Sequence, residues 1–254
     1  MFNLESLKNA PWRIIPPQSA AGALHMKVDL WLLEQHRQGR VPSTLRFYTW
    51  SPPAISLGFH QRIWPDAWNS LQWQDQAIDL VRRPTGGRAV LHQGDLTYAI
   101  ITSDQPGNRQ ETYRYLCEFL VAGWRSLGVE LTYGVAGRGY IHNPNCFGTA
   151  TNADLVTSTG YKFIGSAQLR RGNAILQHGS MRLAPDANLF QQVFGGDRPM
   201  IPPHPQWEFA HIRETLTQAA SAWFQAPMLI APLSEQEWQE IHAFEPPELA
   251  LIRP

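Results

Sequence analysis

Apolar side chains recur along this chain at two spacings, and the spacing switches often. Over residues 20–38, Leu24, Val28, Trp31, Leu32 and Gln35 fall a helical turn apart, and Gly39 stands where a helix would stop. Over 44–50 the period drops to two. Leu45, Phe47 and Thr49 alternate there with Arg46, Tyr48 and Trp50, which predicts a strand with two unlike faces. A second strand is expected over 54–59, after the Pro52-Pro53 break. Residues 63–76 carry Trp64, Trp68, Leu71 and Trp73 behind Pro65 and read as a helix. Strand, glycine-rich turn and strand follow, as 78–83, Pro84-Thr85-Gly86-Gly87 and 89–101.

The clearest helical stripe is 111–127, where Tyr115, Leu116, Phe119, Leu120, Trp124 and Leu127 share one face and Gly128 ends the run. Residues 129–135 read as a strand, and 136–153 as a polar, Gly/Asn-rich loop that contains Cys146. Strands 154–168 and 174–183 carry turn signals at Ser158-Thr159-Gly160 and Arg171-Gly172-Asn173. The proline-rich stretch 199–205 is a linker or crossing loop, and 208–224 is a helix. Ser234-Glu235-Gln236-Glu237 matches a capping box and opens a last helix with Trp238, Ile241 and His242. Strand pairs joined by short turns and interspersed with helices predict an α+β fold. Its central sheet is mixed and largely antiparallel, flanked by helices, rather than doubly wound and parallel. One domain is expected over 1–254, with 199–254 as a C-terminal helical extension.

Composition narrows the classes. Lys+Arg and Asp+Glu both number 21, so the formal net charge is zero, and 43% of residues are apolar. Disorder needs the opposite balance, and a dominant nucleic-acid footprint would show a basic excess. No apolar run reaches the roughly 18–20 residues of a membrane span, and the opening residues lack the layout of a signal peptide. A cytoplasmic, monomeric globular protein is expected, with no nucleic-acid or membrane partner. The two cysteines, Cys117 and Cys146, fit neither a disulfide scaffold nor a zinc site.

Three stretches concentrate chemistry. In Arg82-Arg83-Pro84-Thr85-Gly86-Gly87-Arg88-Ala89-Val90-Leu91-His92, paired glycines let the backbone approach a ligand and aim N–H groups at an anion or carbonyl. A hairpin turn with solvated arginines is the competing reading. In Tyr161-Lys162-Phe163-Ile164-Gly165-Ser166-Ala167-Gln168, a single lysine among apolar and small residues can offer its ammonium to a carbonyl or phosphate. Its competing reading is a lysine that snorkels to the surface. In Gln177-His178-Gly179-Ser180, a glycine follows a histidine inside a strand pattern, where a bulge is the alternative.

Taken in order, these stretches resemble the biotin/lipoate protein ligase superfamily, in its lipoate-ligase and octanoyltransferase branch. The branch pattern Arg-Arg-x-(Thr/Ser)-Gly-Gly-x-(Ala/Gly)-Val-x-His stands here as residues 82–92. Lys-x-x-Gly-Ser-Ala-Gln stands as 162–168, and His-Gly-(Ser/Thr) as 178–180. The segment 45–61 is similar to the family's opening strand, and the likeness runs from about Met26 to Leu183. It implies the ligase catalytic-domain fold with an acyl tunnel. It further implies an acyl group of medium-chain or lipoyl type, delivered to a lysine of a lipoyl-domain protein such as a glycine cleavage H protein or a 2-oxoacid dehydrogenase E2.

Two activations are open under the resemblance. Ligases make an acyl-adenylate from ATP and Mg and need no cysteine. Transferases of the lipoate-octanoyl type take octanoyl from octanoyl-acyl carrier protein onto a cysteine in a Cys-Phe pair ahead of the lysine strand. Cys146-Phe147 holds that position and favours the transferase, which requires no cofactor and no metal. Cys146 and Lys162 are then the catalytic candidates, with Lys162 at the oxyanion. Arg82, Gly86, Gly87, His92, Gly165, Ser166, Ala167 and His178 are the substrate-binding candidates. Either His92 or His178 is suited to proton transfer. Phe47, Tyr48 and Phe163 are expected to line the tunnel, and Arg82, Arg83 and Arg88 to attract the acidic carrier. Cys117, inside a helical stripe, is expected to pack. A third reading is a relative that binds an acyl group or a lipoyl domain without turnover.

Overall fold

The computed structural model describes residues 10–134, 154–195 and 208–249. The chain opens with strand β1 (Trp12–Ala20), helix α1 (Gly22–Arg37), β2 (Thr44–Trp50) and β3 (Ala54–Leu57). A 3-10 helix (Asp66–Ser70) follows, then β4 (Gln72–Trp73), β5 (Gln76–Ala77), β6 (Asp79–Arg82), β7 (Val90–His92) and β8 (Asp95–Ser103). Next come α2 (Arg109–Tyr115), α3 (Glu118–Ser126), β9 (Leu131–Tyr133), β10 (Leu155–Thr157), β11 (Lys162–Arg171) and β12 (Ala174–Arg182). Helices α4 (Ala187–Phe194) and α5 (Phe209–Phe224), strand β13 (Met228–Ile230) and helix α6 (Glu235–Ala243) complete the order, before a 3-10 turn at Pro247–Leu249.

The main sheet has the order β13-β1-β2-β8-β12-β11-β10-β9, and a small sheet has the order β6-β3-β7. In the main sheet β1 runs parallel to β2 and β13, while every pair from β2 to β9 is antiparallel. The expected mixed, largely antiparallel α+β sheet is what the chain forms. Alternation along β2 explains the layering. Leu45 and Phe47 join Tyr98, Ile100, Phe119, Trp124 and Phe224 in the core under α2, α3 and α5. Tyr48 and Trp50 face the opposite way, toward the core that α1 and α6 cover. A third cluster lies between the small sheet and α4, around Ile55, Leu57, Trp68 and Phe190.

Several boundaries differ from the sequence expectation. The helix expected over 111–127 is two helices. Leu116 and Cys117, at the junction, are both fully buried. The bond from Cys117 N–H to the Arg114 carbonyl (2.8 Å) tightens the turn so that both point inward. Residues 63–76 form only the 3-10 turn and a β4–β5 hairpin, because Gln74 and Asp75 both adopt left-handed backbone (φ 48° and 61°) and reverse the chain. The strand expected over 89–101 breaks at Gly94, whose φ is 65°. A Cβ there would sit 1.9 Å from the Ala184 carbonyl oxygen, so only glycine fits. The break sends β7 into the small sheet and β8 into the main one.

The segment expected as a helical extension also supplies β13, and its helices pack onto both cores. Arg13 ties it down. Its guanidinium grips Glu237 through two bonds of 2.6 and 2.8 Å and also donates to the carbonyls of Ala231 and Pro232. The capping box at Ser234 and Glu237 forms as expected. No helix among the described residues is long and apolar enough to cross a membrane.

Candidate active site

The three chemistry-bearing stretches meet at one cavity of about 270 Å³, walled by α1, β2, the small sheet and the paired strands β11 and β12. That is close to the lower end of the ~300–1,000 Å³ usual for small-molecule pockets. Lys162, Gly165, Ser166 and Ala167 enter from β11, His178 from β12, His92 from β7, and Gly86 and Gly87 from the turn between the small-sheet strands. Lys162 is 4% exposed, which removes the snorkelling alternative. Its Nζ lies 2.8 Å from Asp154 Oδ2, and Asp154 also lines the cavity.

Arg82 is placed elsewhere. Its guanidinium turns to the carbonyls of Gly58, Phe59 and Gln61 and is not among the cavity's lining groups. Arg83 takes the inward position instead and is nearly buried. Its Nη1 donates to the Ser56 carbonyl (2.8 Å), while its Nη2 donates to the carbonyls of Gly86 (2.8 Å) and Arg88 (2.7 Å), which holds the glycine turn in place. Arg83 therefore does not present its charge to a carrier protein. Of the aromatic residues expected in the tunnel, Tyr48 lines the cavity. Phe47 and Phe163 lie in the core on the other side of the sheet, because successive strand residues face opposite ways.

Close backbone approach shapes the glycine turn. At Gly58, a Cβ would lie 1.8 Å from the Gly87 carbonyl oxygen, whereas at Gly86 a Cβ meets nothing within 4 Å. Gly58→Ala is therefore expected to push the turn off β3, costing about 2 kcal/mol and roughly 4–8 °C of melting temperature. Gly86→Ala is expected to melt close to the parent. Calorimetric melts of the two variants check the contrast, and equal melting temperatures would refute it.

Behind the cavity wall runs a buried polar chain. Asp29 is fully buried and accepts from Arg46 Nη1 (2.9 Å), Tyr48 Oη (3.1 Å) and His178 Nδ1 (2.9 Å). Burial alone would raise its carboxyl, but the Arg46 guanidinium and the His178 bond outweigh it and hold the group below the usual range. His178 Nε2 in turn meets Thr85 Oγ1 at 2.7 Å. Arg46 Nη2 donates to His25 Nδ1 (2.9 Å), and His25 Nε2 donates to the Thr49 carbonyl (2.8 Å). On the other side of the cavity, His92 stacks on Trp50 with ring centroids 3.8 Å apart. Its Nδ1 and Nε2 lie 2.8 Å from Asp95 Oδ2 and Ser56 Oγ respectively.

Asp29, Ser56, Asp95 and Asp154 were not among the sequence candidates, and Arg83 was expected to face a carrier rather than to hold the glycine turn. A signal existed for two of them. Asp29 falls one turn after His25 inside an otherwise apolar helical run, and Asp95 stands three residues after His92.

Cys117 behaves as expected of a packing thiol. It is fully buried, takes a bond from Gln177 Nε2 (3.2 Å), and burial pushes its thiol up to about 12. Cys146 lies outside the described residues. Among the described residues, no cluster of three or more His, Cys, Asp or Glu side chains is arranged to hold a metal ion.

A fold with these walls has known counterparts. It superposes on a lipoate-protein ligase A bound with ATP (TM-score 0.76, 19% identity, 92% of this chain and 93% of the other). It also matches a bipartite lipoate protein ligase from Thermoplasma acidophilum (TM-score 0.72, 18% identity, 92% and 91%). At such identities the likeness concerns the fold. Sequence comparison reaches further. The chain is 36% identical over 194 residues to octanoyltransferase LipM of Anoxybacillus flavithermus, covering 72% of this chain and 69% of that one. It is 34% identical over 199 residues to octanoyltransferase LipM of Bacillus subtilis, covering 74% and 71%. The profile of the lipoyl protein ligase A/B catalytic domain matches residues 21–204, which include every wall of the cavity, and the chain belongs to that family.

Proposed function

We propose that the chain is an octanoyltransferase of lipoate biosynthesis, a cytoplasmic monomer that moves octanoyl from acyl carrier protein to a lysine of a lipoyl-domain protein. The observation that carries this reading is the convergence of Lys162, Gly86-Gly87, Gly165–Ala167 and both histidines on one cavity, in a chain whose relatives include octanoyltransferases. The nucleophile is Cys146. A thiolate attacks a thioester with little change in free energy, and the new thioester keeps its power to acylate an amine. Carrier thioester carbon and Cys146 sulfur form a bond and the carbonyl π pair moves to oxygen; that pair then re-forms the C=O bond as the carbon–sulfur bond to the carrier breaks and the carrier thiolate leaves.

Lys162, held in the wall by Asp154, faces the carbonyl oxygen and stabilises its developing charge. Gly86 and Gly87 admit the backbone close to the acyl group, and Gly165, Ser166 and Ala167 form the opposite wall. Tyr98 Oη holds Ser166 Oγ at 2.8 Å, and Tyr113 Oη donates to the Ser166 carbonyl at 2.8 Å, so that wall is rigid. The thioester supplies its own activation, so neither nucleotide nor metal is needed.

The test is incubation with octanoyl-acyl carrier protein in the absence of ATP, followed by intact mass measurement. An octanoyl adduct that hydroxylamine removes, and that Cys146→Ala lacks, is expected. Acceptor modification that demands ATP and free acid, and survives Cys146→Ala, would sink the transferase in favour of the ligase.

A further inference from the structure

Two histidines of the cavity are wired alike. Each sits between a carboxylate at Nδ1 and a hydroxyl at Nε2: Asp95 and Ser56 around His92, Asp29 and Thr85 around His178. A carboxylate on Nδ1 keeps the ring proton there, so each Nε2 can receive the proton of its hydroxyl. The two differ in exposure to substrate and in charge. Ser56 and His92 both line the cavity, whereas Thr85 is not among the lining groups. Asp29 is already matched by the Arg46 guanidinium, with Tyr48 Oη as a further donor. Asp95 Oδ2 instead gathers hydroxyls, from Ser180 at 2.6 Å and Thr97 at 3.2 Å, besides the His92 ring. Trp50 Nε1 donates to Thr97 Oγ1 at 2.8 Å and so directs the Thr97 hydroxyl onto that carboxylate. An imidazolium at His92 would find its counter-charge in Asp95, while one at His178 would add a second cation to a pair already balanced.

We propose that Ser56, His92 and Asp95 form a proton relay for the amide-forming step, accepting through Ser56 Oγ the proton that the acceptor lysine must lose. The relay rests on the octanoyltransferase reading above. In that step the acceptor's neutral amine nitrogen attacks the enzyme thioester carbon, the C–N bond forms and the π pair moves to the oxygen. The nitrogen of this adduct then carries one proton too many. It passes to Ser56 Oγ as the serine's own proton passes to His92 Nε2, and Asp95 stabilises the imidazolium. The oxyanion's pair then re-forms the C=O bond as the C–S bond breaks with its electron pair on sulfur, and the proton held on His92 is given up to that thiolate. Thioester and amine thereby become amide and thiol.

Arg83 Nη1 donates to Ser56 Oγ at 3.2 Å, which fills one lone pair and orients the hydroxyl proton toward Nε2. Burial, opposed by Asp95, lowers the affinity of His92 for a proton, so the ring stands neutral before the step.

Rapid-quench measurement of loading from octanoyl-acyl carrier protein, and then of transfer to a lipoyl domain, separates the two steps. Ser56→Ala and Asp95→Asn are expected to slow transfer about a hundredfold more than loading, the usual scale of general-base assistance. Ser56→Thr, which restores a hydroxyl, is expected to regain at least tenfold of that loss. His92→Gln is measured alongside, so the comparison stands even if one variant fails to fold. Equal loss in both steps, or no loss in transfer, would reduce the three residues to scaffolding and overturn the relay. A parent enzyme that never loads octanoyl would overturn the functional reading itself, before any relay variant is measured.

Discussion

Lys162→Met is expected to lower octanoyl transfer about a thousandfold, the upper end of what a lost oxyanion donor costs. Methionine keeps nearly the volume of the lysine stem and removes only the ammonium. The complication is Asp154. Both side chains of this ion pair are almost wholly buried, and removing one member of such a pair typically costs ~3–5 kcal/mol, because the other charge is left without its counter-ion. A single variant therefore confounds chemistry with folding. The double variant Lys162→Met/Asp154→Asn removes both charges, and its stability is expected to return to within about 1–2 kcal/mol of the parent while transfer stays a thousandfold down. Denaturant midpoints and single-turnover rates on all three proteins check this. Recovery of activity with stability would show that Lys162 only holds the wall together.

Much of this site was legible in the chain because its signals are local. The glycine pair, the lysine among small residues and the His-Gly step each lie within one stretch; strand alternation separates Tyr48 from Phe47, although both were expected in the tunnel. What could not be read was which side of a strand met the cavity. Arg82 and Arg83 are neighbours, so one turns outward to the loop at Gly58 while the other fixes the glycine turn, and nothing local tells them apart. Asp154 and Ser56 were missed for another reason. Their partners, Lys162 and His92, come from other strands, and such pairings depend on sheet order. β1 was hidden by Pro16 and Pro17, which break its alternation; its register with β2 shifts at that point, between Ile15 and Gln18.

Stability is expected to fall by about 2 kcal/mol between pH 7.5 and 5 through His25 alone. Both nitrogens of this buried ring are committed in the neutral form, Nε2 donating to the Thr49 carbonyl and Nδ1 accepting from Arg46. A proton on Nδ1 would set an N–H against the guanidinium. Burial, reinforced by the Arg46 charge, accordingly lowers the group from 6.5 to about 3. Below pH 6.5 the unfolded chain takes up a proton that the folded chain refuses, so the unfolded state gains about 1.4 kcal/mol per pH unit until the folded value is reached. His92, also lowered by burial, adds a slope of the same sign. Asp29 does not contribute in this window. Its carboxyl is held low, so its stabilisation is complete above the unfolded value near 3.8 and is lost only as the pH falls below that. His25→Gln keeps a donor for Thr49 and an acceptor for Arg46 but cannot titrate. Urea midpoints of the parent and His25→Gln, taken from pH 7.5 to 4.5, should therefore diverge below pH 6.5, with the variant losing about 2 kcal/mol less by pH 5. Parallel curves would mean that the folded chain accepts the proton at His25, and that the Arg46–His25 bond does not hold the ring neutral.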